Sequence, residues 1–380
     1  MIPFDEIEVL AKPLLALQLK FEESVITDIA RRIGNMNFAS ASWQTQRLIE
    51  SGVIYDEILE KIGRLTPKTE AELRLIFQHA GVRNREYDNK FFQRQDLQVF
   101  NKLSPQALQV LNTGFRLTAG TMRNMTATTA LAGQESFIGA VDLAWQQITA
   151  GAMDYQSAVN AAVMTVGRNG VQVIQYGRHR DQLDVATRRA VLTGVGKTMG
   201  DLTMQNITEM GTDLVEVSAH VGARNTGDGP ANHEDWQGQI YSIMGHSLKY
   251  KPFEETTGYG TGEGLLGWNC RHSFYPYFEG AERVLTPEEV EEMNTKMVTL
   301  DGKELSFYEA TQKQRAMERD IRALKRQALA LSTINQSNAR LQQAISVKQS
   351  KIRDFLRQTG LQRQRVREQV VNQKQIVWRR

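Results

Sequence analysis

The stretch VEVSAHVGARNTGDGPANHEDWQGQIYSIMGHSLKYKPFEETTGYGTGEGLLGWNCRHSFYPYFEG, Val215 to Gly280, decides how the rest of the chain is read. It holds four of the six histidines, the only cysteine and two of the five tryptophans. Glycines recur through it, and glycine permits turns and close backbone approach that a helix interior forbids. Leu214, Val215 and Val217 favour β-structure and sit among turn formers, and Gln239 to Met244 is a second short strand candidate. Segment 212–280 is therefore expected to be a small α+β module set between helical flanks.

Toward the N-terminus, Ile7, Leu10, Leu14, Leu17, Phe21, Val25, Ile29 and Ile33 recur at helical spacing, with Pro13 marking a break or a second start. A helix or helix pair follows over Trp43 to Leu65. Thr69 and Glu72 have the spacing of a capping box, and Gly81 stands where the helix they open would stop. The polar run Val82 to Gln95 reads as a connector. Ser104-Pro105 opens a helix to about Leu131, and a second one carries Phe137, Ile138, Val141, Ala144, Trp145 and Ile148. Asp154 caps a helix through Val166, stopped by Gly167 and Gly170. A further helix spans Gln182 to Met210 and ends at Gly211.

Toward the C-terminus, Thr286-Pro287-Glu288-Glu289 restarts helix with an N-cap, Pro at N1 and Glu at N3, leading into Met293 and Met297. Asp301-Gly302 is a turn. Ser306 to about Gln358 contains almost no Gly or Pro and reads as one long helix. Its apolar stripe, Ile321, Leu324, Ala328, Leu331, Leu341, Ile345 and Ile352, is thin and suits packing on another chain or along a surface. The expected architecture is mainly α with a small α+β module. It comprises an N-terminal helical region (1–95), a helical domain (96–211), the Gly/His/aromatic module (212–280) and a basic C-terminal helical arm (281–380).

The 380 residues carry a formal net charge of only +3, which hides an asymmetry. From Thr311 to Arg380 there are 17 Lys/Arg against 4 Asp/Glu, a basic segment of the type that attracts polyanions. One cysteine excludes an intramolecular disulfide. The N-terminus lacks the basic start and apolar core of a secretory signal, and no stretch approaches the roughly 18 apolar residues of a membrane span.

SAHVGAR (Ser218 to Arg224), NHEDWQG (Asn232 to Gly238) and GYGTGEGLLGWNCRHSFYPY (Gly258 to Tyr277) resemble the minor capsid protein 2 family of tailed phages and prophages of Gram-positive bacteria. LDVATRRAVLTGV (Leu183 to Val195) and FYEATQKQRAMERDIRALKR (Phe307 to Arg326) support the resemblance, which covers most of the chain. The motif residues are Ser218, Arg224, Trp236, Gly238, Tyr259, Gly260, Trp268, Asn269 and Arg271. A more distant likeness is to head-morphogenesis proteins of the phage Mu F type, whose C-terminal part ends in Asn-Cys-Arg-Cys. Here Asn269-Cys270-Arg271-His272 puts His in the last place. The resemblance implies a structural protein in the phage head near the portal vertex, present in several copies and made in the host cytoplasm. Its expected partners are the portal protein or the major capsid protein, without an enzymatic role and without a membrane.

His220, His233, Cys270 and His272 form a candidate zinc set. Cys270 and His272, two apart, point to one side of an extended strand, and imidazole with thiolate is a zinc combination. The spacing matches no finger or ribbon. The other reading, which needs no cofactor, has these side chains hydrogen-bonding the turns of an irregular module. A head-carried nuclease using His220, Arg224, His233 and Arg271 is the enzymatic alternative. Paired carboxylates and a nucleophile elbow are missing, and GYGTGEG lacks the strand-to-helix setting of a phosphate loop. Trp236, Tyr259, Trp268, Phe274, Tyr275, Tyr277 and Phe278 are either the module's core or an exposed docking patch. Arg315, Arg319, Arg322, Lys325 and Arg326, followed by Arg340, Lys348, Lys351, Arg353 and Arg357, are candidates for non-specific contact with packaged DNA. The alternative for them is a solvated helix face.

Overall fold

A computed structural model describes residues 1–40, 42–99, 102–174 and 180–370. Its described residues form nine α-helices and eight short strands. The helices are α1 (Phe4–Gly34), α2 (Trp43–Gln93), α3 (Pro105–Thr149), α4 (Tyr155–Asn169), α5 (Leu183–Met210), α6 (Phe253–Thr257), α7 (Pro287–Thr295), α8 (Phe307–Thr333) and α9 (Ala339–Thr359). The strands are β1 (Gln172–Ile174), β2 (Arg180–Gln182), β3 (Leu214–Val217), β4 (Ile240–Ser242), β5 (Lys251–Pro252), β6 (Phe274–Tyr277), β7 (Met297–Leu300) and β8 (Lys303–Ser306). The mainly α fold with a small α+β module is the expected one. Two compact units are each assembled from three separate segments, Met1–Pro13, Glu70–Thr121 and Arg188–Gln312 in the first, Leu14–Thr69, Met122–Thr187 and Lys313–Arg380 in the second.

Several local signals are overridden. The helix α2 runs unbroken through Pro67, through the Thr69/Glu72 pair and through the polar run to Gln93. Pro13 and Pro67 lie on exposed stretches of their helices, as do Val9 and Gly63, the residues four positions earlier whose carbonyls lose their helical donor. Gly81 does not stop the helix. A Cβ there would lie 2.7 Å from Leu111 Cδ1 of α3, so the missing side chain makes room for a neighbouring helix. The connector expected at 82–95 contains Asn84, Arg85, Asp88 and Asn89, all buried. Asn84 Nδ2 donates to Thr203 Oγ1 at 3.0 Å, while Thr203 Oγ1 and Asn206 Nδ2 donate to Asp88 Oδ2 at 2.8 and 2.7 Å. A polar run thus packs against α5 because every group finds a partner.

In the first unit, α3 and α5 approach through reciprocal small residues. A Cβ on Gly114 would lie 2.6 Å from Thr198 Cγ2, and one on Gly194 would lie 2.9 Å from Thr118 Cγ2. The sheet has order β5-β4-β3-β6, with β3 antiparallel to both neighbours. Pro252 and Pro276 fall on its two edge strands, where a missing N–H costs no ladder bond. Thr286 and Glu289 form the expected capping box at α7, but α7 ends at Thr295 and Met297 belongs to β7. Asp301 (φ 50°) and Gly302 (φ 75°) turn β7 into β8, the two positive angles that such a tight hairpin requires.

In the second unit, α3 continues through Gly133, where a side chain would meet Ile58 Cδ1 of α2. Trp43 stacks on Trp145 at 4.5 Å. Asp154 caps α4 through Ser157 N at 2.9 Å, as its position suggested. The single C-terminal helix expected from Ser306 to Gln358 is instead a hairpin. Ser306 and Glu309 cap the start of α8 reciprocally. The helix ends at Thr333, where Asn335 adopts φ 55° and Gln336 N returns to Leu331 O at 3.0 Å. Lys348 of α9 then pairs with Asp320 of α8 at 2.6 Å, and Gln314 Nε2 donates to Gln362 O at 2.8 Å. Ile321, Ala328, Leu331, Ile345, Ile352 and Phe355 are buried, so much of the stripe is covered within this chain.

Candidate metal centre

The site lies in the first unit, in the turns beside the four-stranded sheet. A single helical turn, His233–Asp235, presents His233 and leads into Trp236 and Gln237. The glycine loop approaches from the other side and is closed on itself. A Cβ on Gly264 would stand 2.5 Å from Thr257 O, and Trp268 N donates to Gly262 O at 2.6 Å. Its amides serve the loop, as a phosphate cradle's would not. Leu265 and Leu266 anchor it in the core, and Asn269, at φ 58°, delivers Cys270 and His272 to the start of β6.

His233, Cys270 and His272 are all buried, and one ring nitrogen of each histidine and the cysteine sulfur lie within 4.8 Å of one another. Cys270 Sγ is 3.5 Å from His272 Nδ1. Partners on the far side assign the protons. Gln237 Oε1 accepts from His220 N at 3.0 Å, so His272 Nε2, 2.9 Å away, is a donor and its Nδ1 keeps the lone pair. Glu263 O, 2.8 Å from His233 Nε2, only accepts, so His233 also carries its proton on Nε2. Burial pushes His233 down to about 4 and holds His272 well below the usual imidazole range. It pushes the Cys270 thiol up to about 11. At neutral pH the three groups are uncharged: two imidazoles and a thiol, all buried.

His220 does not join the set. Its ring stacks on His272 at 4.3 Å and 30°, and its Nδ1 lies 3.2 Å from Val221 O. The structure thus brings together three of the four candidate ligands. Arg224 bonds Glu263 O at 3.3 Å and Trp268 O at 2.9 Å, tying the loop down. Arg271 lies over the Phe4 ring, 3.3 Å from Asp5 Oδ1 and 3.7 Å from Glu8. Arg224 thus shares the Glu263 carbonyl with His233, while Arg271 is engaged by Asp5 and Glu8. Ser218 exchanges backbone and side-chain bonds with Ser273, at 2.8 and 2.9 Å. Gly238 gives way to Val290, whose Cγ1 would stand 3.0 Å from its Cβ. Tyr259 OH donates to Asp201 at 2.7 Å, and Gly260 O accepts from Lys197 Nζ at 3.4 Å. Trp236, Phe274, Tyr275 and Tyr277 are core, whereas Trp268 is 56% exposed.

The long similarity is now decisive. The model of the family described as phage minor capsid protein 2 matches residues 5–357. This chain belongs to the phage minor capsid protein 2 family. The minor capsid protein is similar to a structural protein of Lactococcus phage LL-H, 24% identical over 329 residues, covering 83% of this chain and 84% of that one. It is also similar to a structural protein of Lactococcus phage mv4, 36% identical over 118 residues, covering 30% of this chain and 88% of that one. No solved structure matches. Both relatives are structural proteins of phages, so the minor capsid protein has a structural role in the phage particle, and the nuclease alternative gains no support. No helix among the described residues is long and apolar enough to cross a membrane.

The sequence reading missed Gln237, which joins His220, His272 and, through its Nε2, Asn294 Oδ1 at 2.5 Å. Its signal was present, since it lies inside the NHEDWQG motif. Among the DNA-facing candidates, Arg322 and Arg326 are buried at 5% and 1% exposure. Arg322 pairs with Glu22 and Asp184, and Arg326 Nη1 lies 3.0 Å from Glu22 Oε1. They face inward because Glu22, itself buried, demands cationic partners. Arg319 is exposed, and Arg315 and Lys325 are half-buried.

Proposed function

We propose that this minor capsid protein docks at the portal vertex in several copies as a non-catalytic component, with the exposed basic face of its C-terminal hairpin toward packaged DNA. The observation that carries the reading is the basic excess from Thr311 to Arg380 in a protein of the phage particle. Arg319, Arg340, Lys351, Arg353 and Arg357 are exposed there. Phosphate neutralisation by such a face is sequence-independent and weakens with salt. Quantitative mass spectrometry of virions and DNA-free proheads, with cross-linking to the portal protein, tests the placement. Low-copy presence in both particles with portal cross-links supports it, and absence from proheads overturns it. Substituting His233 separates the structural role from the enzymatic one. Failed assembly agrees with a structural part, whereas intact but non-infectious particles would favour catalysis.

A further inference from the structure

We propose that His233, Cys270 and His272 bind a single zinc ion that joins the 232–237 turn, the glycine loop and the start of β6. Three features of the geometry carry this. Cys270 Sγ and His272 Nδ1 stand 3.5 Å apart, about the edge a tetrahedral zinc site spans, and a ring nitrogen of His233 lies within 4.8 Å of both in the same buried place. Both histidines are oriented from behind: the amide of Gln237 and the carbonyl of Glu263 hold the Nε2 protons. Outer partners do this for metal-bound imidazoles, fixing the tautomer and raising the basicity of the ligand nitrogen. Finally, one thiolate and two imidazoles form a donor set suited to zinc, with no carboxylate or oxygen cage of the kind calcium or magnesium requires.

The fold has a use for such a link. The segments it joins are a single helical turn, a glycine loop and strands of two to four residues, with few ladder bonds of their own. Binding replaces the Cys270 S–H bond by a Zn–S bond and releases that one proton to solvent, with no change in oxidation state. His220, stacked on His272, covers the site, and the fourth position falls to water.

The test uses the full-length chain, stripped with a chelator and reloaded with zinc alone or cobalt(II) alone. The expected result is roughly one metal per chain and a thiolate-to-cobalt charge-transfer band. With only one cysteine, that band has a single source. Cys270→Ser should lose the band, His220→Ala should keep full metal content, and Gln237→Leu should weaken affinity about 10- to 100-fold. A wild-type chain that is folded by circular dichroism yet retains no zinc and gives no band overturns the proposal. Metal bound without a thiolate band overturns it as well. If Cys270→Ser fails to fold, the wild-type band and the Gln237→Leu affinity decide. Particle composition is read separately, so a negative result here leaves the capsid placement untouched.

Discussion

Replacing Arg326 with Met is expected to destabilise the second unit by about 3 kcal/mol, the lower end of the cost of breaking a buried ion pair. The guanidinium is 1% exposed and makes four bonds: Nε to Gly167 O at 3.1 Å, Nη1 to Glu22 Oε1 and Gln182 Oε1 at 3.0 Å each, and Nη2 to Arg168 O at 3.2 Å. Methionine keeps much of the aliphatic stem but none of the donors. Glu22 retains Arg322, which limits the loss. The carbonyls of Gly167 and Arg168, at the end of α4, lose their donor. Urea unfolding followed by circular dichroism gives the stability, and a salt titration of DNA binding run in parallel gives the phosphate contacts. Arg326→Met should move the unfolding midpoint and leave the salt slope alone. Arg319→Met, on the exposed side of the same helix, should change stability by under about 0.5 kcal/mol and reduce the slope by about 0.9 if it meets a phosphate. An Arg326→Met protein within about 0.5 kcal/mol of wild type, or with a reduced slope, would refute the reasoning.

Glycines of opposite environment should respond with opposite sign to alanine. Gly52→Ala and Gly63→Ala, in helix with nothing near a new Cβ, should stabilise by about 0.5–1 kcal/mol each, and Gly114→Ala, against Thr198, should destabilise by about 1–3 kcal/mol in the same urea assay. Burial raises Glu216 above the usual carboxylate range, against the backbone donors of Val284 and Leu285. Its folded form therefore holds a proton to higher pH than its unfolded form, and its contribution to stability is greatest below 4.5 and falls as pH rises through the folded value. Wild type should accordingly lose stability relative to Glu216→Gln as pH rises from 4.5, and parallel unfolding curves at every pH would contradict this. At the α8–α9 corner, Asn335→Val should cost about 1–2 kcal/mol because φ is 55°, whereas Asn335→Gly should be neutral or better in thermal melts.

Capping chemistry acts over three residues and was legible at Asp154 and Thr286, though not at Thr69 and Glu72, which lie inside the continuous α2. Asp154 and Thr286 start their helices where the sequence places them, and Asp301-Gly302 turns as its residue types require. Gly81 and Gly133 were not legible. A glycine that ends a helix and one that admits a neighbouring helix look alike until the neighbour is known. The run at 82–95 misled for a similar reason, since Asn84 and Asp88 read as solvated until Thr203 and Asn206, over a hundred residues away, supply their partners. Arg322 and Arg326 read as a basic face, and only Glu22 shows which way they point.

For the candidate centre, His233, Cys270 and His272 stood out in the sequence by residue type and by the motifs around them. Which histidine is left out, and which atoms hold the ring protons of the other two, depends on Gln237 and Glu263, whose placement follows from the packing of the loops. The sequence alone therefore determined the family, the helical class, the location of the α+β module and the charge asymmetry, all properties of composition, period and local spacing. The tertiary structure decided which polar groups are buried, which glycines are contacts, where the C-terminal arm folds back and which three side chains converge. Those outcomes depend on partners distant in the chain, and no local pattern encodes them.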